Sequence, residues 1–443
     1  MADVVIVGAG GCGLMAALVA ADHGADVVVL EKTRQPGGGT ALSHRALRAA
    51  GTRFQREQGI DDDPEQWASE ILLRNGHQSD NKVTRALTCV SSRMVEFLAD
   101  VAGVDFYLQG FTFGQSAARS HAWKQDASIT GLMFDALRSR SSVAFHFQTP
   151  VKTLLTYEGA VTGVKADGIP YEAEAVVLAS GGFGASRRLL SRHIANASGI
   201  AFPGHQGSTG EGIEMGVELG AATRHMDSFQ PYPAHIGPGK RGLPPGVIMS
   251  GGIVVDDCGR RFVDETNYPG GLARAILELP AHKAYEIFDE RIFETHREMT
   301  GERSIVAMRE SGELVEARDG DSLAEALGID AEGLQRTLDE YAAVAGDVDE
   351  FGRAVDRPLR PPLHGIQIRV ALYHTQGGLK VDEHARVLRD DDSVIPRLYA
   401  GGGAAAGVSG DGMDGYLPGN GLLASLGLGF LAAEHAVAGS RVA

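Results

Sequence analysis

Cysteine is scarce in this chain, with 3 residues in 443, at positions 12, 89 and 258. They lie too far apart to give the ligand spacing of a metal site, and there is no C-x-x-C-H motif that would attach a c-type haem. Isolated cysteines of this kind are typical of reduced thiols in a cytosolic protein. We therefore expect a cytoplasmic protein with no metal site.

Positive charge and long apolar runs are also lacking. The formal net charge is −16, which argues against nucleic acid as a partner because phosphate backbones are bound by basic surfaces. We recognise no apolar run of membrane-spanning length, and a strand-like run at residues 4–7 leaves no room for a signal peptide before it. We therefore expect neither a nucleic-acid partner nor a membrane association.

Glycine is abundant, with 59 residues, and its first cluster is the most informative. Gly8, Gly10 and Gly13 form a G-x-G-x-x-G motif, and Glu31 follows the next strand. The surrounding pattern is a strand over residues 4–7, a helix over 14–23 and a strand over 26–30. In such a βαβ unit the glycines make the tight turn, admit a pyrophosphate and let helix and strand pack closely, while the acid binds a ribose hydroxyl. The segment predicts dinucleotide binding, the alternative being an ordinary βα turn with chance glycines.

The segment after Glu31 favours a flavin over a nicotinamide. Lys32 and then P-G-G-G-T-A-L-S at residues 36–43 follow directly, where a nicotinamide dehydrogenase would usually proceed to another strand and helix. The pattern resembles the E-K-x(3)-P-G-G-x-[ST] segment of flavoproteins with two dinucleotide-binding domains. We therefore predict bound FAD, with these contacts beyond the first motif: Lys32, Gly38, Gly39, Thr40, Ser43, Gly181, Gly182, Gly402, Leu422 and Leu423.

The order of strand-like and helix-like runs predicts an α/β fold, in which a discontinuous Rossmann-like FAD-binding domain carries an inserted α+β capping domain. Residues 1–230 and 361–443 hold the glycine-rich strand ends of the FAD-binding domain, and residues 231–360 form the substrate-capping domain. We predict helices over 80–102, 213–220, 322–344 and 422–438, and an antiparallel excursion over 153–171. Thr209 is expected to cap the second of these helices.

Taken together, these segments resemble the flavoprotein family of soluble fumarate reductases and 3-ketosteroid dehydrogenases, over essentially the whole chain. Further shared motifs are V-V-L-A-S-G-G-F-G (176–184), G-S-T-G-E-G-I (207–213), G-G-I-V-V-D-D-C-G-R-R-F-V-D-E (251–265), Y-H-T-Q-G-G-L-K-V-D (373–382) and G-Y-L-P-G-N-G-L-L (415–423). The resemblance implies FAD, a cap domain over the flavin, substrate held between them, and hydride exchange between flavin N5 and a carbon beside an activated bond.

The resemblance also argues against fumarate as the substrate. Fumarate-reducing members bind carboxylates with arginines, one after the R-F-V-[ND]-E segment and one in the last motif. The matching positions here are Pro269 and the segment 415–420, which contains no arginine. A dicarboxylate needs bidentate cations to offset its desolvation.

Two tyrosines lie at about these places instead. In the ketosteroid dehydrogenases, one tyrosine removes the proton alpha to the ketone and another polarises the carbonyl together with a backbone N–H. The resemblance gives these roles to Tyr268 and Tyr416, with Gly419 or Gly421 supplying the N–H. Hydrogen bonds aimed at the enolate oxygen stabilise it where water is excluded, and a tyrosine with a pKa near 10 needs a neighbour that helps it act as a base.

Other candidates have structural alternatives. His374 matches a family histidine that faces substrate, but it could equally be structural. Less specific candidates are Tyr373, Tyr107 and Arg274, and Glu265 is expected to pair within the cap. His44 invites a covalent flavin bond, but members with covalent flavin carry their histidine a few positions earlier, where this chain has Gly38 and Gly39. We therefore predict non-covalent FAD.

We accordingly predict an FAD-dependent oxidoreductase acting on CH–CH groups, a dehydrogenase (desaturase) that introduces a C=C bond alpha,beta to the carbonyl of a ketone. The ketone would be cyclic, 3-ketosteroid-like or of a smaller oxocyclohexane type, and an external electron acceptor would reoxidise the flavin. The alternative is a fumarate-reductase-like ene reductase of an enone or unsaturated acid. A remote alternative is a non-catalytic flavoprotein or electron carrier.

Overall fold

The computed structural model describes residues 1–43, 45–110, 115–195, 197, 200–237 and 242–440. Its strands are β1 (Ala2–Val7), β2 (Val27–Leu30), β3 (Ala46–Arg48), β4 (Phe106–Gln109), β5 (Ser120–Trp123), β6 (Val143–His146), β7 (Val151–Tyr157), β8 (Ala160–Ala166), β9 (Ile169–Leu178), β10 (Thr223–Arg224), β11 (Phe229–His235), β12 (Ile253–Val255), β13 (Lys283–Asp289), β14 (Val315–Ala317), β15 (Leu363–Thr375), β16 (Gly378–Leu379), β17 (Arg386–Leu388) and β18 (Val394–Ala400).

Its helices are α1 (Gly11–Asp22), α2 (Arg53–Glu57), α3 (Pro64–Arg74), α4 (Asn81–Val101), α5 (Ile129–Leu137), α6 (Arg187–His193), α7 (Glu211–Glu218), α8 (Pro245–Met249), α9 (Gly270–Glu278), α10 (Glu290–His296), α11 (Ile305–Glu310), α12 (Gly320–Leu327), α13 (Ala331–Ala343) and α14 (Asn420–Ser440). Short 3₁₀ helices span Gly38–Leu42, Gly301–Arg303 and Gly402–Ala404.

The chain forms two compact units. Unit 1 comprises Met1–Ala195, Gly204–Gln230 and His374–Ala443, and unit 2 comprises Asn196–Pro203 and Pro231–Tyr373. The sequence analysis divides the chain at 230/231 and 360/361. Strand β15 runs past the second of these positions to Thr375, so that unit 2 extends further along the chain than the predicted cap.

Unit 1 is built on an eight-stranded sheet in the order β17-β18-β9-β1-β2-β6, with β7 and β8 attached to β9. The pairings of β18, β9, β1, β2 and β6 are parallel. Strands β1 and β2 are almost entirely apolar, as expected where helices cover both faces of a parallel sheet. The βαβ unit of β1, α1 and β2 has the predicted elements, and it places the carboxyl ends of β1 and β2 at one edge.

Helix α14 is an exception to the expectation that no apolar run could span a membrane. Its segment Asn420–Gly439 has a mean hydropathy of 1.5 and is long and apolar enough to do so, so that expectation was wrong about length. The helix packs against α1 and α4 within unit 1, and 61% of it is buried. A core helix that is apolar all round passes the same test of composition, so its hydropathy alone assigns no membrane.

Unit 2 is built on an antiparallel sheet in the order β11-β15-β13-β12, with β14 beside β15. Side chains of a strand alternate between faces, so Tyr285 and Ile287 of β13 share one face and Glu286 lies on the other. The first face packs in an apolar core that includes Leu323 of α12 and Leu334 of α13. The sheet therefore has one apolar face covered by helices and one that carries a buried acid.

The single helix predicted over residues 322–344 is wrong, because two helices, α12 and α13, occupy this region. Gly328 ends α12 in the left-handed conformation, with φ +69°. Asp330 then begins α13 by accepting a hydrogen bond from the N–H of Gly333 at 3.1 Å. A left-handed glycine followed by an aspartate cap is a helix stop and a new start, which an apolar pattern that continues across it conceals.

Candidate active site

The three glycines of the first motif have different requirements. Gly8 has φ +107°, and a Cβ there would lie 2.5 Å from the carbonyl oxygen of Ala179. A Cβ on Gly13 would lie 1.9 Å from the carbonyl oxygen of Gly8. At Gly10 the nearest atom would be the Gly37 oxygen, at 3.9 Å, so protein packing leaves that side open. This is the room that a pyrophosphate needs to approach the backbone.

The N-terminus of α1 and Glu31 complete a fit for a dinucleotide. Gly10 is the N-cap of α1 and offers no side chain to its first N–H groups, which favour an anion. Glu31 lies directly after β2 and is 8% exposed. Its carboxylate accepts hydrogen bonds from the N–H groups of Ala9 and Thr33, both at 2.8 Å. The carboxylate is thereby fixed, and its remaining lone pairs can accept ribose hydroxyls.

The glycine-rich segment after β2 folds back onto the start of α1. The N–H of Gly37 donates to Ala9 O at 2.8 Å, and a Cβ on Gly38 would lie 3.2 Å from Gly10 Cα. A Cβ on Gly39 would meet nothing within 4 Å. Thr40 packs on Gly11, and Ser43 Oγ donates to Thr40 O at 2.7 Å. The predicted contacts of this segment therefore lie near the first motif, whereas His44 lies outside the described residues.

Lys32 is held by a second segment of unit 1. Its ammonium donates to Thr209 Oγ1 at 2.7 Å and to Glu211 Oε1 at 2.8 Å. The prediction that Thr209 caps α7 was wrong, because the N-cap is Gly210, with φ +91° and no side-chain cap. The Thr209 hydroxyl donates instead to Glu211 Oε1 at 2.7 Å.

The second and third glycine-rich strand ends lie beside the first. Gly181 has φ +78°. A Cβ on Gly182 would lie 2.1 Å from Thr375 Oγ1, and one on Gly402 would lie 3.2 Å from Cys12 Cβ. Gly182 is thus required by packing within unit 1, and Gly402, with φ +60°, by its left-handed backbone. Burial raises the pKa of the Cys12 thiol to about 12, so it is not a nucleophile at neutral pH.

Between these strand ends the Ser180 hydroxyl is buried and has no hydrogen-bond partner among the described residues. Leu422 and Leu423 lie in the first turn of α14, where Leu423 is buried. An orphaned hydroxyl, an open backbone at Gly10 and an uncapped helix start fit a dinucleotide. The residues that would hold FAD are those of the first motif, Glu31, the segment 37–43 and the two later strand ends.

Tyr416 lies in unit 1 and is 6% exposed. The ring of His374 meets it edge-on, with centroids 6.1 Å apart. Burial raises the pKa of Tyr416 above its ordinary value, and a hydrogen bond from the Gly419 backbone and the Arg48 guanidinium act in the opposite direction. The sequence leaves open whether Gly419 or Gly421 supplies the backbone N–H of the site. The Gly419 backbone already forms a hydrogen bond with Tyr416, and the N–H of Gly421 lies in the first turn of α14.

Arg48 is the residue that sequence reasoning missed. It ends β3 and is 5% exposed. A Cβ on Gly419, where φ is +101°, would lie 2.2 Å from Arg48 Cγ, so the arginine stem packs directly on this glycine. Burial lowers the pKa of Arg48 to about 10, and the nearby Tyr416 acts to raise it, so the side chain is still a cation at neutral pH. No local pattern marks it, because the contact joins positions far apart in the chain.

His374 packs on the start of α14. A Cβ on Gly421 would lie 2.6 Å from His374 Nε2. Gln376 Nε2 is 3.0 Å from His374 Nδ1, and its Oε1 accepts a hydrogen bond from Ser409 Oγ at 3.1 Å. Unit 1 thus places His374, Tyr416, Gly419 and Gly421 close together, with Arg48 beside them.

Tyr268 belongs to unit 2, where a group of aromatic and charged residues surrounds it. Its hydroxyl is buried and lies close enough to the Tyr232 hydroxyl for a hydrogen bond that acts to lower the pKa of Tyr232. Tyr232 stacks on Tyr373, with ring centroids 4.9 Å apart, and the Arg303 guanidinium lies 5.4 Å from the Tyr232 ring centroid. Burial raises the pKa of Tyr268 well above its ordinary value, and Arg303 acts to lower it.

The remaining candidates lie elsewhere. Tyr107 is exposed on β4 and Arg274 is exposed on α9. The expectation that Glu265 pairs within unit 2 is confirmed, because it accepts hydrogen bonds from Arg261 at 2.8 Å and Arg353 at 2.7 Å. Within the described ranges, no three His, Cys, Asp or Glu side chains are grouped as they would be around a metal ion.

Comparisons with known proteins agree with this geometry. Residues 3–422 match the FAD binding domain family. The NADH:fumarate oxidoreductase of Klebsiella pneumoniae (strain 342) is 31% identical over 422 residues, which cover 92% of this chain and 45% of that protein. The chain therefore spans about half the length of this relative.

Two experimental structures share the fold over nearly the whole chain. A flavocytochrome c3 fumarate reductase has a TM-score of 0.82 and 25% identity, with 99% of this chain and 78% of that chain covered. The 3-ketosteroid-Δ4-(5α)-dehydrogenase of Rhodococcus jostii RHA1, in complex with 4-androstene-3,17-dione, has a TM-score of 0.81 and 25% identity, with 98% and 96% covered.

These similarities confirm the predicted α/β fold, the resemblance and the FAD cofactor. These relatives are named as a fumarate oxidoreductase, a fumarate reductase and a ketosteroid dehydrogenase. The chain belongs to the FAD binding domain family and is an FAD-dependent oxidoreductase acting on CH–CH groups.

Proposed function

We propose that the protein is a dehydrogenase that introduces a C=C bond alpha,beta to the carbonyl of a cyclic ketone, either 3-ketosteroid-like or of a smaller oxocyclohexane type. The observation that carries this proposal is the arrangement at Tyr416, whose buried hydroxyl lies beside the Gly419 N–H and the Arg48 guanidinium. Donors and a cation gathered in a desolvated site stabilise the negative charge that develops on an enolate oxygen. A ketone is the simplest substrate that develops such a charge.

The reaction requires a base, a polarising group and a hydride acceptor. Tyr268 takes the proton from the carbon alpha to the carbonyl, and Tyr416 donates a hydrogen bond to the carbonyl oxygen. Bound FAD supplies the hydride acceptor, and an external electron acceptor restores it. Burial alone lowers the fraction of Tyr268 that is ionised by raising its pKa, so its neighbour Arg303, the cation that acts to lower that pKa, is part of the proposal.

The first experiment is anaerobic mixing of the purified FAD-loaded protein with a panel of cyclic ketones and with the matching enones. Bleaching of the flavin by saturated ketones supports the dehydrogenase. Reoxidation of dithionite-reduced protein by enones or unsaturated acids, without bleaching by ketones, would instead support a reductase. A flavin that responds to neither would favour the non-catalytic flavoprotein.

The second experiment tests the base. Tyr268→Phe removes the hydroxyl and keeps the ring, so FAD content should be unchanged while flavin reduction by ketone slows on the order of 10²–10⁴-fold. Tyr157→Phe, at an exposed tyrosine of β7, is the matched control and should keep the wild-type rate. If the Tyr268→Phe protein is reduced as fast as the control, Tyr268 is not the base.

A second candidate function is favoured by one observation, the buried cation of Arg48. An ene reductase of an unsaturated acid needs an arginine to bind the carboxylate, and Arg48 supplies a guanidinium beside Tyr416 that the sequence motifs do not show. The same cation can serve either function, because it would stabilise either a carboxylate or an enolate.

Arg48→Gln separates the two functions, and Arg48→Lys is its charge-conserving control. If the substrate is a ketone, flavin in the Gln variant should be reduced more slowly than in the wild type at saturating substrate, with little change in substrate affinity. If the substrate is an acid, its KM should rise about 10- to 100-fold, since a hydrogen-bonded charge contributes about 1.5–3 kcal/mol. The cytoplasmic location and the substrate-capping role of residues 231–360 stay as predictions from the sequence.

A further inference from the structure

Glu286 is a buried acid of unit 2 to which the reaction proposed above assigns no role. It lies in the middle of β13, opposite Val254 of β12 and Ile366 of β15, and its exposed fraction is 0%. Neither carboxyl oxygen has a hydrogen-bond partner among the described residues. Burying a carboxylate without a partner is costly, so a side chain that served only packing at this position would be expected to be apolar.

The nearest charged groups do not neutralise Glu286. Arg353 donates to Glu265 Oε2 at 2.7 Å and to the carbonyl oxygens of Gly252 and Ile248 at 2.9 and 2.8 Å. Its donors therefore already have acceptors. The Glu265 carboxylate adds a like charge near Glu286, and burial together with this charge raises the pKa of Glu286 well above its ordinary value.

The other charged groups of this environment are balanced among themselves. Arg261 pairs with Glu265 at 2.8 Å and with Asp349 at 2.7 Å. His364, two residues from Ile366 on β15, pairs with Glu290 at 2.6 Å. Arg261 and Arg353 are thus paired with the carboxylates of Glu265 and Asp349. The histidine is paired with Glu290. These cations are therefore already paired with other acids, and Arg303 lies over the ring of Tyr232.

Glu286 also interacts electrostatically with two tyrosines of unit 2. Burial is the main cause that raises the pKa of Tyr232 and Tyr268, the charge of Glu286 adds to it, and the Arg303 guanidinium opposes it. Tyr268 and Glu286 are thus two buried polar groups of unit 2, and the charge of Glu286 acts on Tyr268. Tyr268 has Tyr232 beside it, whereas neither carboxyl oxygen of Glu286 has a hydrogen-bond partner among the described residues. Native interiors rarely leave such groups unpaired without a functional reason.

We propose that Glu286 is the proton-exchange group of unit 2, accepting the proton that Tyr268 passes on during dehydrogenation and returning it in the reverse reaction. The inference rests on the proposed role of Tyr268. The ketone loses its alpha proton to the Tyr268 phenolate, and the hydroxyl proton then passes to the Glu286 carboxylate to give a carboxylic acid. The phenolate is restored, and the electron pair of the β C–H bond leaves with the hydride.

The decisive variant is Glu286→Gln, which keeps the shape and cannot exchange a proton. Its control is Glu278→Gln, at an exposed glutamate near the end of α9. The acceptor must be ionised, so dehydrogenation should speed up as the pH rises through the pKa of Glu286. The Gln variant should lose this step in the pH profile and react at least 10-fold more slowly, while the control keeps both the step and the rate.

An infrared titration tests Glu286 without relying on turnover. The wild-type protein should show a protonated carboxyl C=O stretch that persists above the pH range of ordinary glutamates and is missing from Glu286→Gln. The band should also grow when a bleaching ketone reduces the flavin. A wild-type pH profile in Glu286→Gln, or a band that flavin reduction leaves unchanged, would overturn the inference. If no ketone bleaches the wild-type flavin, the proposed function itself fails.

Discussion

At the scale of single residues, glycines that look alike in the motif have different physical requirements. The sequence indicates that Gly8, Gly10 and Gly13 belong together, but it does not show which atoms need the absent side chain. At Gly13 the crowding atom is the Gly8 carbonyl oxygen, and at Gly10 the space is open. One glycine is therefore needed by the protein and another by what the protein binds.

This difference gives a testable contrast between two alanine substitutions. Gly10→Ala should fold normally, because its φ of −82° suits alanine and its Cβ meets no atom nearer than 3.9 Å, but it should bind FAD more weakly. Gly13→Ala should destabilise the FAD-free protein by about 1–3 kcal/mol or more, as overpacking does. Thermal unfolding of the FAD-free proteins and fluorescence titration with FAD measure the two effects. Equal losses of stability in both variants would contradict the interpretation.

Arg48 shows the limit of sequence reasoning at this scale. The sequence makes Tyr416, Gly419 and His374 candidates because their motifs are local and resemble those of known proteins. The cation beside them comes from β3, and its contact with Gly419 depends on the tertiary fold. The same is true of Lys32, whose partner Glu211 lies in a distant segment. Charge pairs that join distant positions have no periodicity by which a sequence could reveal them.

At the scale of elements, the sequence predicts strands and long helices well where apolar periodicity is strong. Helix α4 and the hairpin of β7 and β8 occupy nearly the predicted ranges. The prediction fails where a local backbone conformation overrides the periodicity. Between α12 and α13 the apolar pattern continues, but Gly328 is left-handed and Asp330 caps a new helix. A helix stop of this kind is set by a few residues, and the apolar residues on either side do not show it.

The helix stop can be tested at Gly328. Gly328→Ala should lower the free energy of unfolding by about 1 kcal/mol, because an alanine in the left-handed region is strained while the surrounding space is open. Gly328→Asn is the matched control and should cost less, since asparagine tolerates this conformation. Urea unfolding compares the three proteins. An alanine variant as stable as the wild type would mean that the left-handed turn is not required.

At the scale of the whole molecule, the buried acids should give the stability a characteristic dependence on pH. The pKa values of Glu70 and Asp349 are lowered by their arginine partners, against the effect of burial. Their contribution to stability is present above the ordinary pKa of a carboxyl group and is lost as the pH falls. Glu286 acts in the opposite direction, because its pKa is raised in the folded protein.

The sign for Glu286 follows from counting protons. Between its ordinary pKa and its raised folded value, the folded protein binds more protons at this group than the unfolded chain does, so stability falls as the pH rises through that range. Each pH unit within the range costs about 1.4 kcal/mol. Glu286→Gln removes the loss, so the variant should gain stability over the wild type as the pH rises, and the gain should be smallest below the ordinary pKa.

Calorimetric unfolding at a series of pH values measures the difference, with Glu278→Gln expected to follow the wild type throughout. A Glu286→Gln curve parallel to that of the wild type at every pH would mean that Glu286 titrates as an ordinary carboxyl, and it would remove the physical reason for a proton-exchanging acid in this sheet.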